Sequence, residues 1–419
     1  MVLAIAVPIM VQNGITQFVS MLDNIMVGRV GEAEMRGVGV ANTLIFVFNL
    51  AIFGAVSGAG IYGAQFFGQQ DFEGVRHSFR FKLYVGAALL ILGGAVFLLF
   101  GDKLIMLYLL GEGTEAERAA SFLHARNYLR IMLIGFLPFV LSQCYSGTLR
   151  ECGQTIVPMV AGIVSVLLAY RIFAYLCEVP AFLWWMILLG LLCAVLAEDA
   201  AIATVIARFA EAVTVMVWTH ANPKKNPYIV GVYRSLRIPG RLAKEIAKKT
   251  TPLLLNETLW AGGMALLSQC YSLSGLVVGP AYTICSTISN VFNVAFLAMG
   301  NAIGIIVGQL LGADKLEEAV DTDRKLIVFS VGICFLIGGV MAAVAPLIPQ
   351  IYNATDAVRS LASDFLLIMA VAMPINSLAN ACYFTMRSGG KTFITFLFDS
   401  VYVCVLTVPL AYALHFAGV

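Results

Sequence analysis

Residues 47–68 (VFNLAIFGAVSGAGIYGAQFFG) and 291–312 (VFNVAFLAMGNAIGIIVGQLLG) are two copies of one segment. At a constant offset of 244, eight of the 22 positions are identical, among them Asn49/Asn293, Gly60/Gly304, Gln65/Gln309 and Gly68/Gly312. The same offset pairs Pro8 with Pro252, and an offset of 237 aligns RECGQTIVP from Arg150 with RSGGKTFIT from Arg387. A chain duplicated on this scale folds as two related halves of several helices each. If the chain is apolar, its working site is expected between them, as in secondary transporters.

Composition settles the solvent. Hydrophobic residues make up 60% of the 419 and charged residues only 12%, where a soluble domain carries about 25% charge. At about 20 residues per crossing plus loops, the length allows about eleven transmembrane helices. The apolar runs place them near 2–22, 36–62, 80–100, 122–147, 157–176, 196–218, 250–272, 278–310, 325–349, 360–386 and 392–416. Strands are excluded, because lipid-facing backbone must satisfy itself and these runs are too long for barrel strands. The expected fold is therefore all-α and polytopic: an N-terminal lobe of six helices over 1–218, a basic linker over 219–249, and a C-terminal lobe over 250–419.

Lys and Arg orient the chain. Seventeen of the 26 basic residues fall in the even-numbered connections or beside them, eight of them in 219–250. The positive-inside rule puts that side, and the N-terminus, in the cytoplasm. The polybasic loop reads as orientation and lipid contact, not as a nucleic-acid surface. The first run is interrupted by Gln12, Asn13 and Asp23 and lacks a basic start, so no signal peptide is read there. The nine cysteines form no CxxC and behave as small apolar residues.

Two features break the internal symmetry. Only 32 residues follow Arg387, against about 68 between Arg150 and the end of the first half. The second half is thus expected to have five helices, its final helix missing, and to end on the outer face. Residues 177–199 form an extra apolar stretch without a downstream counterpart, expected to be extended or re-entrant.

An ionisable group inside a span costs about 2.5–3.5 kcal/mol on insertion scales, so each one is a functional candidate. Asp23 leads, because Thr16, Ser20 and Asp23 share one face of the first helix. A carboxylate there can exchange a proton or hold a monovalent cation with neighbouring oxygens. The alternative is a carboxylate wetted at the helix end. Glu257 follows Pro252 by five residues as Asn13 follows Pro8, so the second half carries a charge where the first carries an amide. Tyr282, Ser286, Ser289 and Asn293 make a polar stripe on the eighth span, either lining a cavity or joining helices. Asp399 in the last helix is a secondary candidate, and Arg208 with Glu211 reads as a pair. Enzyme signals are absent: the four histidines are scattered, with no HExxH, GxSxG or Walker-type loop. With no ATPase motif, an ion gradient is the expected driver.

Several segments, in order, resemble one family. LDNIMVGRVG around Asp23, GAQFFGQQD, LRECGQTIVPMVAGI, AAIATVIARFAE, TPLLLNETLW, GQLLGADKLEEA and MRSGGKT resemble the bacterial multidrug and toxic compound extrusion (MATE) transporters. The resemblance spans nearly the whole chain except 169–199. It implies two lobes around a central cavity, and export of cationic amphipathic drugs or metabolites in exchange for H⁺ or Na⁺. It further implies a monomer in the bacterial inner membrane, with no cofactor beyond the coupling ion and no nucleic-acid partner. By the same resemblance Asp23 matches the first-helix acid, Glu257 the seventh-helix acid of the NorM-like branch, and Thr204 a hydroxyl of the N-lobe cation site. Asn49 and Asn376 join the cavity candidates.

The departures concern the ion. Ala169 and Phe173 stand where the N-lobe cation site has side-chain oxygens, and Asn376 stands near the tenth-helix acid. Both Na⁺ sites are incomplete, which favours H⁺. The alternatives are a lipid-linked saccharide flippase of the same superfamily, which needs a cationic cavity, and a truncated or inactive member.

Overall fold

In hydrocarbon each segment must close its own backbone hydrogen bonds, and the described apolar segments do so as helices. The computed structural model describes residues 5–15, 32–109, 115–176, 197–273, 277–352 and 355–417. The helices are α1 (Ile5–Ile15), α2 (Glu32–Gly68), α3 (Phe72–Leu109), α4 (Glu115–Ile134), α5 (Phe136–Glu151), α6 (Ile156–Leu176), α7 (Ala197–Ala221), α8 (Gly240–Leu273), α9 (Val278–Gly312), α10 (Leu316–Val344), α11 (Asp356–Ser388) and α12 (Thr392–Phe416). Among the described residues seven helices are long and apolar enough to cross a membrane, or eight with α4 and α5 taken as one broken span. This is a polytopic all-α membrane protein. The stretch 177–196 lies outside the described residues.

One span differs from expectation. The run 122–147 is not a single helix: α4 and α5 meet at Gly135 with a bend of 48°. Pro138 explains the break, because it cannot donate to the carbonyl of Ile134 and its ring crowds that carbonyl.

The connections on the linker side repeat in backbone detail. Gln70 after α2 and Asp314 after α9 both adopt left-handed backbone, at φ 61° and 59°. Gly153 and Gly390 do so after α5 and α11, at φ 77° and 72°. The two pairs stand at offsets of 244 and 237, those of the sequence repeat.

The halves also exchange helices. In the first, a core over α2–α7 centres on Phe48 stacked against Phe136 (centroids 4.1 Å apart, planes at 9°). In the second, α9, α10 and α11 pack together, with Ser330 and Ser377 hydrogen-bonded at 2.9 Å between α10 and α11. Ile5, Ala6 and Ile9 of α1 pack into the α9 core, and α8 of the second half packs along α2 of the first. Small residues make the latter crossing close: a Cβ on Gly58 would lie 2.7 Å from Thr250 Cα, and one on Gly54 would lie 2.8 Å from the Leu253 carbonyl.

The connection between the halves is shorter than the expected 219–249, since α7 runs to Ala221 and α8 begins at Gly240. It lies against α3, whose basic residues grip its carbonyls. Arg76 donates to Tyr228 O at 3.1 Å, Arg80 to Val232 O at 2.8 Å and to Gly231 O and Arg237 O at 3.2 Å, and Tyr84 to Leu236 O at 2.8 Å. Burial holds the Tyr228 phenol above its ordinary pKa.

Candidate functional site

A polar cluster joins three helices of the second half, with Asn256, Arg387 and Ser400 buried and Glu257, Tyr383 and Asp399 half-buried. Asn256 and Glu257 come from α8, Tyr383 and Arg387 from α11, and Asp399 and Ser400 from α12. Asn256, fully buried, donates through Nδ2 to Asp399 Oδ2 at 2.8 Å and to the Tyr383 hydroxyl at 3.2 Å. Tyr383 in turn donates to Glu257 Oε1 at 3.4 Å, and Arg387 Nη1 lies 3.6 Å from the same oxygen. Ser400 closes the circuit by donating to Asn256 O at 2.5 Å and Oδ1 at 2.8 Å.

Local irregularities deliver these groups. Pro252 sits inside α8 one turn before Asn256, so Lys248 has lost its usual donor. In α12 the turns over Leu397–Val401 and Val403–Thr407 are π-widened, and the first of them carries Asp399 and Ser400. Such widened turns redirect side chains that a regular helix would aim elsewhere.

Arg387 connects this cluster to the other half. Its Nη2 contacts Ser57 Oγ of α2, and its guanidinium lies 5.6, 5.8 and 5.3 Å from the rings of Phe53, Tyr383 and Phe384. The counterpart in the first half is simpler. Arg150 donates to Gln12 Oε1 at 2.7 Å, so each half turns its motif arginine toward the helix that follows its proline. The partner is an amide in one half and a carboxylate in the other. Between Arg150 and Arg387 lies a cavity also lined by Ser57, Gln143, Glu151 and Asn301.

A second buried pair escaped the sequence reading. Lys82, counted there among the basic-side charges, is 1% exposed inside the bundle. It reaches Glu151 at 2.5 and 2.6 Å and Thr148 Oγ1 at 2.9 Å. Proximity to a loop in sequence hid it; the signal was Glu151, an acid inside the repeated motif at the position Ser388 takes in the other copy.

The other expected residues are scattered. Asp23, Thr16 and Ser20 lie outside the described residues, as do the side chains of Ala169 and Phe173. Asn13 and Thr204 are half-buried on α1 and α7. Asn49 is half-buried on α2, its Oδ1 without a hydrogen bond. Of the α9 stripe, Tyr282 packs on Tyr271 (centroids 4.7 Å apart), Ser286 bonds back to its own helix at Thr283 O, and Asn293 is half-buried. Asn376 is exposed on α11, two turns before Tyr383, or about 10 Å along the axis. Arg208 lies over the Phe139 ring at 4.7 Å.

The MatE family profile matches residues 8–176 and 253–413, most of both halves. The chain belongs to the MatE family. Members of this family are transporters, not enzymes. A curated relative, a probable multidrug resistance protein NorM from Thermotoga maritima, is 23% identical over 328 residues, covering 77% of this chain and 65% of the relative. The chain therefore spans just under two thirds of that relative's length. Among solved structures, an outward-facing multidrug resistance MATE family transporter of the MOP superfamily matches at 18% identity and a TM-score of 0.82, over 98% of this chain and 87% of that one. A MOP superfamily transporter from Pyrococcus furiosus, whose reverse binding-pocket polarity suggests a different function for it, matches at 18% and 0.80, over 99% and 88%. At these identities the neighbours establish the MATE-like fold alone.

Proposed function

We propose that this chain is a secondary antiporter, exporting cationic amphipathic compounds in exchange for inward H⁺, with Glu257 and Asp399 as its coupling acids in the second half. Family membership supports transport. The observation that carries the coupling is the joining of the two half-buried acids through Asn256, Tyr383 and Arg387 in one network. Two carboxylates and one guanidinium sum to a charge of −1, so a single proton neutralises the cluster. Protonation of Glu257 weakens its hold on Arg387, which already touches α2 through Ser57. A charge change in one half thus alters a contact with the other, which is what biases two conformations requires. Arg387, 3.6 Å from Glu257 Oε1, already supplies a positive charge beside that acid, which favours H⁺.

In the first half the coupling acid on this reading is Asp23, carried over from the family resemblance. The basic side is the cytoplasmic one by the positive-inside rule, in a bacterial inner membrane, with the chain working as a monomer. A lipid-linked saccharide flippase is disfavoured, because of the two cavity arginines Arg387 lies beside Glu257, and Glu151 lines the same cavity.

The test is dye efflux from vesicles under separately imposed pH and Na⁺ gradients. The wild type should respond to the pH gradient, and Glu257→Gln should not. Efflux driven by Na⁺ alone, or unimpaired in Glu257→Gln while Asp23→Asn is inactive, would move coupling elsewhere.

A further inference from the structure

The strongest identities of the repeat, Gln65/Gln309 and Gly68/Gly312, play no part in the cluster above. They meet each other. At the linker-side ends of α2 and α9 the two Gln-x-x-Gly motifs cross about a quasi-two-fold axis between Ala64 and Gly308, where a Cβ on Gly308 would lie 3.2 Å from that of Ala64. A Cβ on Gly68 would collide with the Gln309 carbonyl, and one on Gly312 with the Gln65 carbonyl. Each glycine therefore admits the main chain of the other motif.

The glutamine side chains then reach into opposite halves. Gln65 Nε2 donates to Ser388 O at 3.0 Å, and Gln309 Nε2 donates to Glu151 O at 2.7 Å. Ser388 and Glu151 are the last residues of α11 and α5, and they correspond at the offset of 237. Their carbonyls belong to the final turn of a helix, where no intrahelical N–H remains to satisfy them. Lys82 holds the Glu151 side chain from behind, so the acceptor on that side is fixed in place.

We propose that Gln65 and Gln309 form a symmetric latch between the halves, each capping the C-terminal carbonyl of a helix in the other, and that this latch sets how often the linker side opens. It deepens the transport reading by naming the closure on one side of the cavity, and it is independent of the ion and the compound carried. Parting the halves breaks both bonds at once, which makes the closure all-or-none in place of a gradual loosening.

The experiment uses the full chain in membranes, with Cys177, Cys193, the exposed Cys382 and the half-exposed Cys404 replaced and Ala64→Cys as a reporter beneath the latch. Labelling of that cysteine by an impermeant maleimide from the linker side counts openings. One hydrogen bond is worth about fivefold in an equilibrium. Gln65→Met or Gln309→Met, which keep the volume, should each speed labelling about fivefold, and the double variant about twenty-five-fold. An Ala64→Cys/Gly308→Cys disulfide, which locks the two motifs together, should stop any transport, and reductant should restore it. Unchanged labelling in the double Met variant overturns the latch. Faster labelling with no gradient-driven efflux in any variant leaves the latch standing and removes the antiporter reading.

Discussion

Glu257 and Asn13 occupy matching places in the two halves, and Arg387 and Arg150 do the same, yet only Arg387 pairs with a carboxylate on the proline-bearing helix, where Arg150 meets the amide of Gln12. On the proposed antiport, this difference of one charge between otherwise similar lobes is what would let one of them respond to protons. Asp399→Asn should separate the roles within the cluster. Asn256 keeps a hydrogen-bond partner in the amide oxygen, so folding should survive, while the dependence of dye efflux on pH should become shallower than in wild type. A pH profile identical to wild type removes Asp399 from coupling. Lys82 and Glu151 invite the opposite expectation, because they are structural. Removing one member of a buried ion pair costs about 3–5 kcal/mol, whereas replacing both by neutral groups of similar size is close to neutral. Lys82→Met should therefore lower the melting temperature in detergent sharply, and Lys82→Met with Glu151→Gln should recover most of it.

Helices in this chain are informative where they are irregular. Pro138 breaks the fourth crossing into α4 and α5, Pro252 loosens α8 beside Asn256, and the widened turns of α12 present Asp399 and Ser400. The regular stretches are informative through their glycines, which differ sharply in role. Gly58 faces the backbone of α8 at Thr250, while Gly39 and Gly94 face open space. Gly58→Ala should part α2 from α8 and lower stability, read as an earlier thermal unfolding transition. Gly94→Ala should instead raise stability, by about 0.5–1 kcal/mol, through helix propensity alone. Equal effects at the two sites would show that the α2–α8 approach is looser than drawn.

Across the whole molecule, the halves hold each other by exchange: α1 packs on α9, α8 packs on α2, and the linker folds back onto α3. Arg80 makes three bonds to linker carbonyls, and Arg234 and Arg237 are exposed beside them. Bonds to charged donors are worth about 1.5–3 kcal/mol, so Arg80→Ala should free the segment and raise its trypsin cleavage about tenfold or more. Cleavage should occur only from the side on which the linker lies. Cutting from the outside of intact cells would reverse the orientation.

The sequence by itself determined the helical membrane class, the two related halves and the family. Those follow from composition and from a repeat long enough to impose the same backbone twice, down to the left-handed residues after α2, α5, α9 and α11. It also singled out Asp23 first, then Glu257 and, as a secondary candidate, Asp399, since a charge in an apolar run is conspicuous wherever it lies. What it left open was which charges meet. Lys82 sits near a loop in sequence and reads as an orientation charge; only packing carries it to Glu151, 69 residues away. Gln65 and Gln309 are uncharged and sit at helix ends, so nothing local marks them, and their partners lie 323 and 158 residues away. The bend at Gly135 needed the direction of α4 and α5, not the apolar run they share. Periodicity and composition act along one helix, whereas a buried pair or an inter-lobe cap forms between helices, and the relative placement of helices is decided by tertiary packing.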